Sequence, residues 1–410
     1  MSFSLRLLLL TSQLCIAAFA GQQYDLPNTW TSYGFTAPIS VGNPPQELDI
    51  LMDWTWISAY VWTGTCYHHP NSPQKCLNPE QTYFNQSASH TFRYMPALYP
   101  SRTWDPNHFF PNEPALVNYA TDYFTVGFES TNVVLQTSDF TFNLTEFAYP
   151  FAGIYGLSPV FKGDNASLQS PFYQSYRKDA WESPVVAWHF CYTGSPDLAK
   201  ATCGGHDAIQ THGGINKTLV DEKEIRWYQN EVFPDVNNID FIYDPAVLNY
   251  WAIEVESVKI GDEKQFVTST PNNPGPAAIF DHASYGRGMP LSPAIYERLV
   301  AATEGKPVTL NKPPNNGEQA FYQVDCACID DFPTVSYVFK GDQKEWSIVP
   351  RNYVEKIDDS TCVLNVRTVG NHAQFLGNFG ETFAKDKYII FDWEKLAVGI
   401  ADIQWGNVVV

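Results

Sequence analysis

Two aspartates have the placement that acid–base chemistry needs, because each one ends an apolar run. Asp53 follows Ile50-Leu51-Met52, and Asp281 follows Ala278-Ile279-Phe280. An isolated aspartate at such a position usually only ends a strand at a turn. Two carboxyls that meet, however, cannot both ionise cheaply, so they share a proton and can act together on a bound water. The pattern singles out Asp53 and Asp281 as candidate site residues.

An internal repeat favours that pairing. Downstream of each aspartate an apolar pair precedes a glycine, as Ile154-Tyr155-Gly156 in the first half and Phe375-Leu376-Gly377 in the second. The order and the approximate spacing of these features match. We interpret the match as two related lobes, each of which supplies one aspartate.

Short strand-like segments dominate the chain and would position the pair. Runs rich in β-branched and aromatic residues are bounded by Gly, Pro, Asn or Asp, which is typical of sheets. The clearest runs are 35–41, 47–52, 123–128, 251–260 and 336–340. Helices are predicted to begin at Ser170-Pro171 and Ser292-Pro293, because the hydroxyl can cap and proline suits the first helical position. The fold class is mostly β.

Composition excludes several classes of function. The 410 residues include 15% aromatic and only 17% charged residues, which argues against disorder. The net charge is −19. A surface this acidic repels phosphate backbones and anionic lipids, so we expect neither nucleic acid nor a membrane as a partner.

The amino terminus has the pattern of a secretory signal. Residues 1–20 contain Arg6, the apolar run 7–10 and Ala18-Phe19-Ala20, which is typical of a signal peptide with an A-x-A cleavage site. The apolar run is too short to span a bilayer comfortably. We expect a secreted, soluble protein that folds as a monomer.

Cysteine usage suits that compartment. The cysteines after the signal peptide are Cys66, Cys76, Cys191, Cys203, Cys326, Cys328 and Cys362. Disulfides are favoured in an oxidising compartment, and Cys66–Cys76 and Cys191–Cys203 are the simplest local pairs. Cys362 then pairs with Cys326 or with Cys328, which leaves one thiol over.

We expect glycosylation at the surface and no cofactor. The acceptor pattern N-x-S/T occurs at Asn85, Asn143, Asn165 and Asn216. No metal site is predicted, because Cys326-Ala327-Cys328 has no second Cys or His pair at zinc-ligand spacing. No nucleotide cofactor is predicted either, because Gly286-Arg287-Gly288 lacks the third glycine and the helix of a phosphate-binding loop.

The ordered set of motifs resembles the pepsin-like aspartic peptidases, of the pepsin and cathepsin D type, from about residue 33 to residue 403. The segments that carry the resemblance are 41–46 (VGNPPQ), 88–92 (ASHTF), 151–157 (FAGIYGL), 212–215 (HGGI), 250–253 (YWAI), 375–379 (FLGNF), 391–392 (FD) and 398–401 (VGIA). The resemblance implies two related β-barrel-like lobes flanking a cleft. It divides the chain into a short segment 21–30, a first lobe 31–218 and a second lobe 219–410, and it pairs Cys326 with Cys362, leaving Cys328 free.

The resemblance also implies a chemistry. Asp53 and Asp281 would be the catalytic dyad: the ionised carboxylate activates a water, and the protonated one stabilises the charge that develops on the peptide carbonyl. In the family each aspartate begins an Asp-Thr/Ser-Gly triplet, whose hydroxyl braces the two lobes. Here the triplets read Asp53-Trp54-Thr55 and Asp281-His282-Ala283, with Ser284 following the second. Trp54 cannot make the hydroxyl's bond and should force local rearrangement.

Two further departures concern the flap and the propeptide. The flap tyrosine aligns near Phe109 and Phe110, which cannot make its hydrogen bond, although Tyr94 or Tyr99 could serve instead. Active members also carry a basic propeptide, but no Lys or Arg lies between Ala20 and residue 33.

We therefore predict a peptidase homologue that is impaired or inactive, with a cleft that binds a peptide, a protein or a small apolar ligand. One alternative is a divergent but active endopeptidase that uses Asp53, Asp281 and an activated water. The other is an enzyme for a non-peptide small molecule, in which His282 joins the two aspartates as an acid–base set. Otherwise His282 would be a packed residue with one hydrogen bond.

Overall fold

The computed structural model describes residues 21–31, 34–56, 58–63, 82–95, 102–104, 115–138, 151–160, 166, 169–191, 203–230, 250–268, 276–282, 288–311, 318–366 and 376–404. Strands dominate these residues and the helices are short, so the predicted mostly-β class is confirmed. None of the helices within these ranges has both the length and the apolar character that crossing a membrane requires.

The first half of the chain contributes strands that repeatedly pair with their neighbours. They are β1 (Tyr24–Thr31), β2 (Gly34–Val41), β3 (Gln46–Asp53), β4 (Ala59–Trp62), β5 (Arg93–Tyr94), β6 (Arg102–Trp104), β7 (Ala115–Val126), β8 (Glu129–Ser138), β9 (Gly153–Gly156), β10 (Val185–Phe190) and β11 (Ala208–His212). The predicted run 123–128 is two residues too long, because Gly127 has φ 60° and turns β7 into β8. A residue without Cβ suits that left-handed conformation.

Six of these strands close into a barrel. The order β2-β3-β9-β4-β8-β7 is completed by pairing of β7 with β2, at Ser40↔Thr125 and Val41↔Phe124. Closure removes free sheet edges and surrounds a packed interior. The barrel-like character predicted for the first lobe is thereby confirmed.

The second half forms smaller sheets and joins the first. Its strands are β12 (Arg226–Gln229), β13 (Ala252–Ile260), β14 (Glu263–Phe266), β15 (Ala277–Phe280), β16 (Lys306–Asn311), β17 (Glu318–Val324), β18 (Val335–Phe339), β19 (Trp346–Ile348), β20 (Val354–Lys356), β21 (Cys362–Leu364), β22 (Asn378–Phe379), β23 (Lys387–Asp392) and β24 (Ala397–Asp402). Strand β10 pairs with β23 over five residues, from Val185↔Asp392 to His189↔Tyr388, so one sheet runs from the barrel into the second half.

Two of the described helices begin where the sequence predicts, at Pro171 and Pro293. The described helices are α1 (Pro171–Tyr176), α2 (Pro293–Ala302), α3 (Pro350–Tyr353) and α4 (Glu381–Ala384). The Ser170 hydroxyl accepts a hydrogen bond from the backbone N–H of Tyr173, and the Ser292 hydroxyl accepts one from Ile295. Both serines therefore cap their helices.

Two disulfides hold loops of the described chain. Cys191 is bonded to Cys203, and Cys326 is bonded to Cys362. The second bond resolves the choice that the sequence leaves open, and Cys328 remains as a free, partly exposed thiol. Cys66 and Cys76 lie outside the described residues.

Candidate active site

The two aspartates end equivalent strands. Strand β3 runs parallel to β9, with Asp53 opposite Gly156, and β15 runs parallel to β22, with Phe280 opposite Phe379. The backbone N–H of Asp281 donates to the carbonyl of Phe379 at 2.9 Å. Each aspartate thus stands where an apolar strand leaves a parallel pair, as the internal repeat predicts.

The strand register corrects the glycines that define that repeat. Gly153 lies opposite Ile50, three residues before Asp53. In the second half the pairing Ile279↔Asn378 places Gly377 at the matching position and Gly380 opposite Asp281. The prediction that Gly377 is the counterpart of Gly156 is therefore wrong by three residues. An apolar pair before a glycine fits both registers, so the pattern alone could not distinguish them.

Asp53 is buried but well supplied with donors. Its Oδ1 accepts hydrogen bonds from the Thr55 backbone N–H at 2.7 Å, the Thr55 hydroxyl at 2.7 Å and the Trp56 backbone N–H at 3.2 Å. Its Oδ2 is buried and has no hydrogen-bond partner among the described residues. Burial raises the pKa of Asp53, and the three hydrogen bonds oppose that rise only in part.

Asp281 has a different environment. It is partly exposed, and its Oδ2 accepts a hydrogen bond from the Asn378 side-chain amide at 2.8 Å. Burial raises the pKa of Tyr250 well above its usual range, and the nearby carboxylates of Asp281 and Asp53 raise it further. The charges of both carboxylates therefore act on this one buried phenol.

A cluster of rings joins the two halves beside this site. The interlobe aromatic cluster consists of Phe35, Trp54, Trp188, Phe190, Phe280, His282 and Phe391. The rings of Trp54 and His282 meet edge to face, with centroids 4.6 Å apart and an interplanar angle of 83°. Their side chains are 0% and 1% exposed. The residues that replace the two family hydroxyls are thus in direct contact.

The turn around Trp54 closes on Asp53 through three hydrogen bonds. His282 is the packed residue expected as the ordinary alternative to an acid–base role: its ring is buried, its ring nitrogens bond to no other described residue, and burial lowers its pKa to about 3. A neutral ring enclosed by Trp54, Trp188 and Phe190 does not have the polar contacts of an acid–base partner.

Three contributors to the site escaped the sequence analysis. Thr55 was noted only as the third residue of the altered triplet, and Asn378 and Tyr250 were not singled out as site residues. The available signal was a polar side chain inside an otherwise apolar motif, as in FLGNF and YWAI. Ala283 and Ser284 lie outside the described residues.

The base of the flap is described, whereas its predicted tip is not. Strands β5 and β6 pair with the first half of β7, and Phe109, Phe110 and Tyr99 lie between or beyond the described ranges. Tyr94 pairs with Ala120 in β7 and is 46% exposed. The Trp56 indole N–H donates to the Gln136 side chain at 3.2 Å, so the turn after Asp53 is hydrogen-bonded to β8.

One described group has metal-ligand atoms close together. His189 lies against Cys191 and Cys203, with ring nitrogens 3.5–3.7 Å from sulfur. Both sulfurs are consumed in a disulfide, so they cannot act as thiolate ligands.

Comparison with known proteins agrees with this geometry. The family model described as eukaryotic aspartyl protease matches residues 34–403. The chain is 48% identical to the aspartic protease-like protein pynH of Aspergillus niger over 389 residues, covering 94% of this chain and 93% of that protein. It is 47% identical to the aspartic protease-like protein pytH of Aspergillus terreus over 396 residues, covering 93% of each.

A third relative is described as a probable secreted aspartic protease, from Arthroderma benhamiae. It is 43% identical over 391 residues, which cover 93% of each chain. The family match includes the whole barrel, both aspartates and the pairing of β10 with β23 that joins the halves. The chain belongs to the eukaryotic aspartyl protease family, whose pepsin-like fold it shares.

Proposed function

We propose that this protein is a secreted aspartic-type endopeptidase whose carboxyl pair is retained but impaired. The observation that supports the proposal is the pair of equivalent strand ends, with Asp53 at the end of β3 and Asp281 directly after β15, each beside a parallel partner strand. Secretion is supported by relatives described as secreted and by the signal pattern of residues 1–20.

The environments of the two carboxyls support different roles. Asp53 is the buried partner with the raised pKa, so it holds the shared proton and hydrogen-bonds the peptide carbonyl. Asp281 is the more exposed partner, so it is the ionised base that activates water. A carboxyl kept protonated by burial is a weak acid, which slows proton donation.

The flanking residues supply a second reason for slow turnover. Among the described residues, neither Trp54 nor His282 donates a hydrogen bond toward Asp53 or Asp281. In other family members the hydroxyls at these two positions donate such bonds. The cleft would accept an extended peptide. If turnover is very slow, the same cleft would serve to bind a peptide, a protein or a small apolar ligand.

The test is cleavage of denatured globin by the purified protein from about pH 2 to about pH 7, with and without a statine-type transition-state analogue. We expect slow cleavage, blocked by the analogue and abolished by Asp53→Asn or Asp281→Asn. Cleavage as fast as that of pepsin would contradict impairment. Absence of both cleavage and analogue binding would show that the dyad is not functional.

A further inference from the structure

The residues that follow the two aspartates offer an inference that rests on the proposed function and deepens it. Trp54 directly follows Asp53, and His282 directly follows Asp281. The ring contact between them, with centroids 4.6 Å apart, is therefore a contact between the two turns that carry the carboxyls.

The surroundings leave these rings little room to move. The Trp54 indole has four further ring neighbours, with centroids at 5.6 Å for Trp188, 5.8 Å for Phe190, 6.3 Å for Phe280 and 5.2 Å for Phe391. Close-packed interiors transmit displacement instead of absorbing it. A change in the His282 side chain would therefore displace the Trp54 ring.

Trp54 also belongs to the backbone turn, residues 53–56, whose hydrogen-bond donors contact the Asp53 carboxyl. The residues on its C-terminal side, Thr55 and Trp56, supply all three hydrogen bonds that Asp53 Oδ1 accepts. The position of the indole and the direction of these donors are coupled through one short stretch of backbone.

We propose that Trp54 and His282 form a positioning pair, in which edge-to-face packing across the lobe boundary sets the relative position of Asp53 and Asp281. In other family members, hydroxyls at these positions hold the two lobes together through hydrogen bonds. Here the packing of the two rings has that role. Edge-to-face ring pairs add stability beyond their buried area, so the contact can perform this role.

The test uses His282→Ala, which removes the ring, and His282→Phe, which keeps a ring in place. Amide hydrogen exchange of Thr55 and Trp56 reports on the Asp53 turn without requiring activity. We expect His282→Ala to accelerate their exchange between about twofold and tenfold, and His282→Phe to stay close to the wild type. Affinity for a statine-type inhibitor, which must meet both carboxyls at once, should fall about tenfold in His282→Ala.

His212→Ala is the matched control. His212 is equally buried among rings, with Trp181 at 5.2 Å and Phe172 at 5.4 Å, but it lies in β11 within the first half. It should leave exchange at Thr55 and Trp56 unchanged. If His282→Ala also leaves this exchange unchanged, or if His282→Phe behaves like His282→Ala, the positioning pair is wrong. Faster exchange in a protein that neither cleaves globin nor binds the inhibitor would support the pair and overturn the proposed function.

Discussion

Thr55 provides a hydroxyl at the position where the family triplet has a glycine. The hydroxyl and the backbone N–H of the same residue both reach Asp53 Oδ1 at 2.7 Å. Hydrogen bonds to a carboxylate favour its charged form and so oppose the rise in the Asp53 pKa that burial causes. At the scale of single residues, Thr55 therefore limits how far burial raises the pKa of Asp53.

Replacing Thr55 by valine should therefore raise the pKa of Asp53 further, because one of the opposing hydrogen bonds is lost. We expect kcat/KM for a peptide substrate to fall about tenfold and the pH optimum to move upward. Thr55→Ser keeps the hydroxyl and should retain the wild-type profile. An unchanged pH profile in Thr55→Val would contradict this role.

The sequence identified single residues better than their contacts. Asp53 and Asp281 were predictable because a repeat of apolar runs marks both. The contact of Trp54 with His282 was not, since each residue taken alone is only a missing hydroxyl, and their meeting depends on how the two halves pack.

At the scale of elements, Gly-x-x-Gly segments support both aspartate strands, as Gly153 to Gly156 and Gly377 to Gly380. A Cβ on Gly156 would lie 2.1 Å from the carbonyl oxygen of Trp56. A Cβ on Gly380 would come no closer than 2.9 Å, to the carbonyl oxygen of Asp281. The turn after Asp53 thus approaches Gly156 more closely than Asp281 approaches Gly380.

Gly156→Ala should destabilise the protein more than Gly380→Ala, because backbone atoms must move to relieve the closer clash. We expect a loss of about 3 kcal/mol or more for Gly156→Ala, measured by denaturant unfolding. Gly305→Ala is the control, because a Cβ there meets only side chains, at 3.1 Å or more. Equal stabilities for Gly156→Ala and Gly305→Ala would contradict the packing argument.

Elements were predictable where local chemistry decides them. The serines that cap α1 and α2 satisfy the helix ends themselves, and so they mark those ends in the sequence. The register of β22 against β15 was not predictable, because it depends on backbone pairing between distant segments.

At the scale of the whole molecule, three buried histidines among the described residues contribute to the response to acid. Burial lowers the pKa of His189 to about 4 and the pKa values of His212 and His282 to about 3. In the unfolded chain each would titrate near 6.5. Between these values the unfolded state binds more protons than the folded state, so stability falls as the pH falls. Asp53, whose pKa is raised, acts in the opposite direction.

We expect the thermal unfolding midpoint to be highest above about pH 6.5 and to drop progressively toward about pH 3. Each unit of pKa difference corresponds to about 1.4 kcal/mol for each histidine. His282→Phe should flatten this dependence, since it removes one of the three groups. An unfolding midpoint that does not change with pH across this range would contradict the predicted effect of the buried histidines. Because the dyad needs one proton and the fold needs neutral histidines, we expect activity to be confined to mildly acidic pH.

The two described sequons share one local hydrogen-bond geometry. The side-chain oxygen of Asn85 accepts from the Ser87 hydroxyl at 2.6 Å, and that of Asn216 accepts from the Thr218 hydroxyl at 2.7 Å. In neither case does the side-chain nitrogen bond to a described residue. We predict glycans at both, detected as conversion of Asn to Asp after enzymatic deglycosylation in peptide mass spectra; unconverted Asn85, the exposed site, would contradict the prediction. Asn143 and Asn165 lie outside the described residues.

The five-residue pairing of β10 with β23 has a practical consequence for handling the protein in pieces. If the chain were divided at the proposed boundary after residue 218, the first fragment would carry a bare β10 edge and the second a bare β23 edge. Exposed edges of this kind recruit other strands and promote aggregation. Fragments produced separately should therefore precipitate, whereas the same two fragments synthesised in one cell should assemble into a soluble heterodimer along this seam.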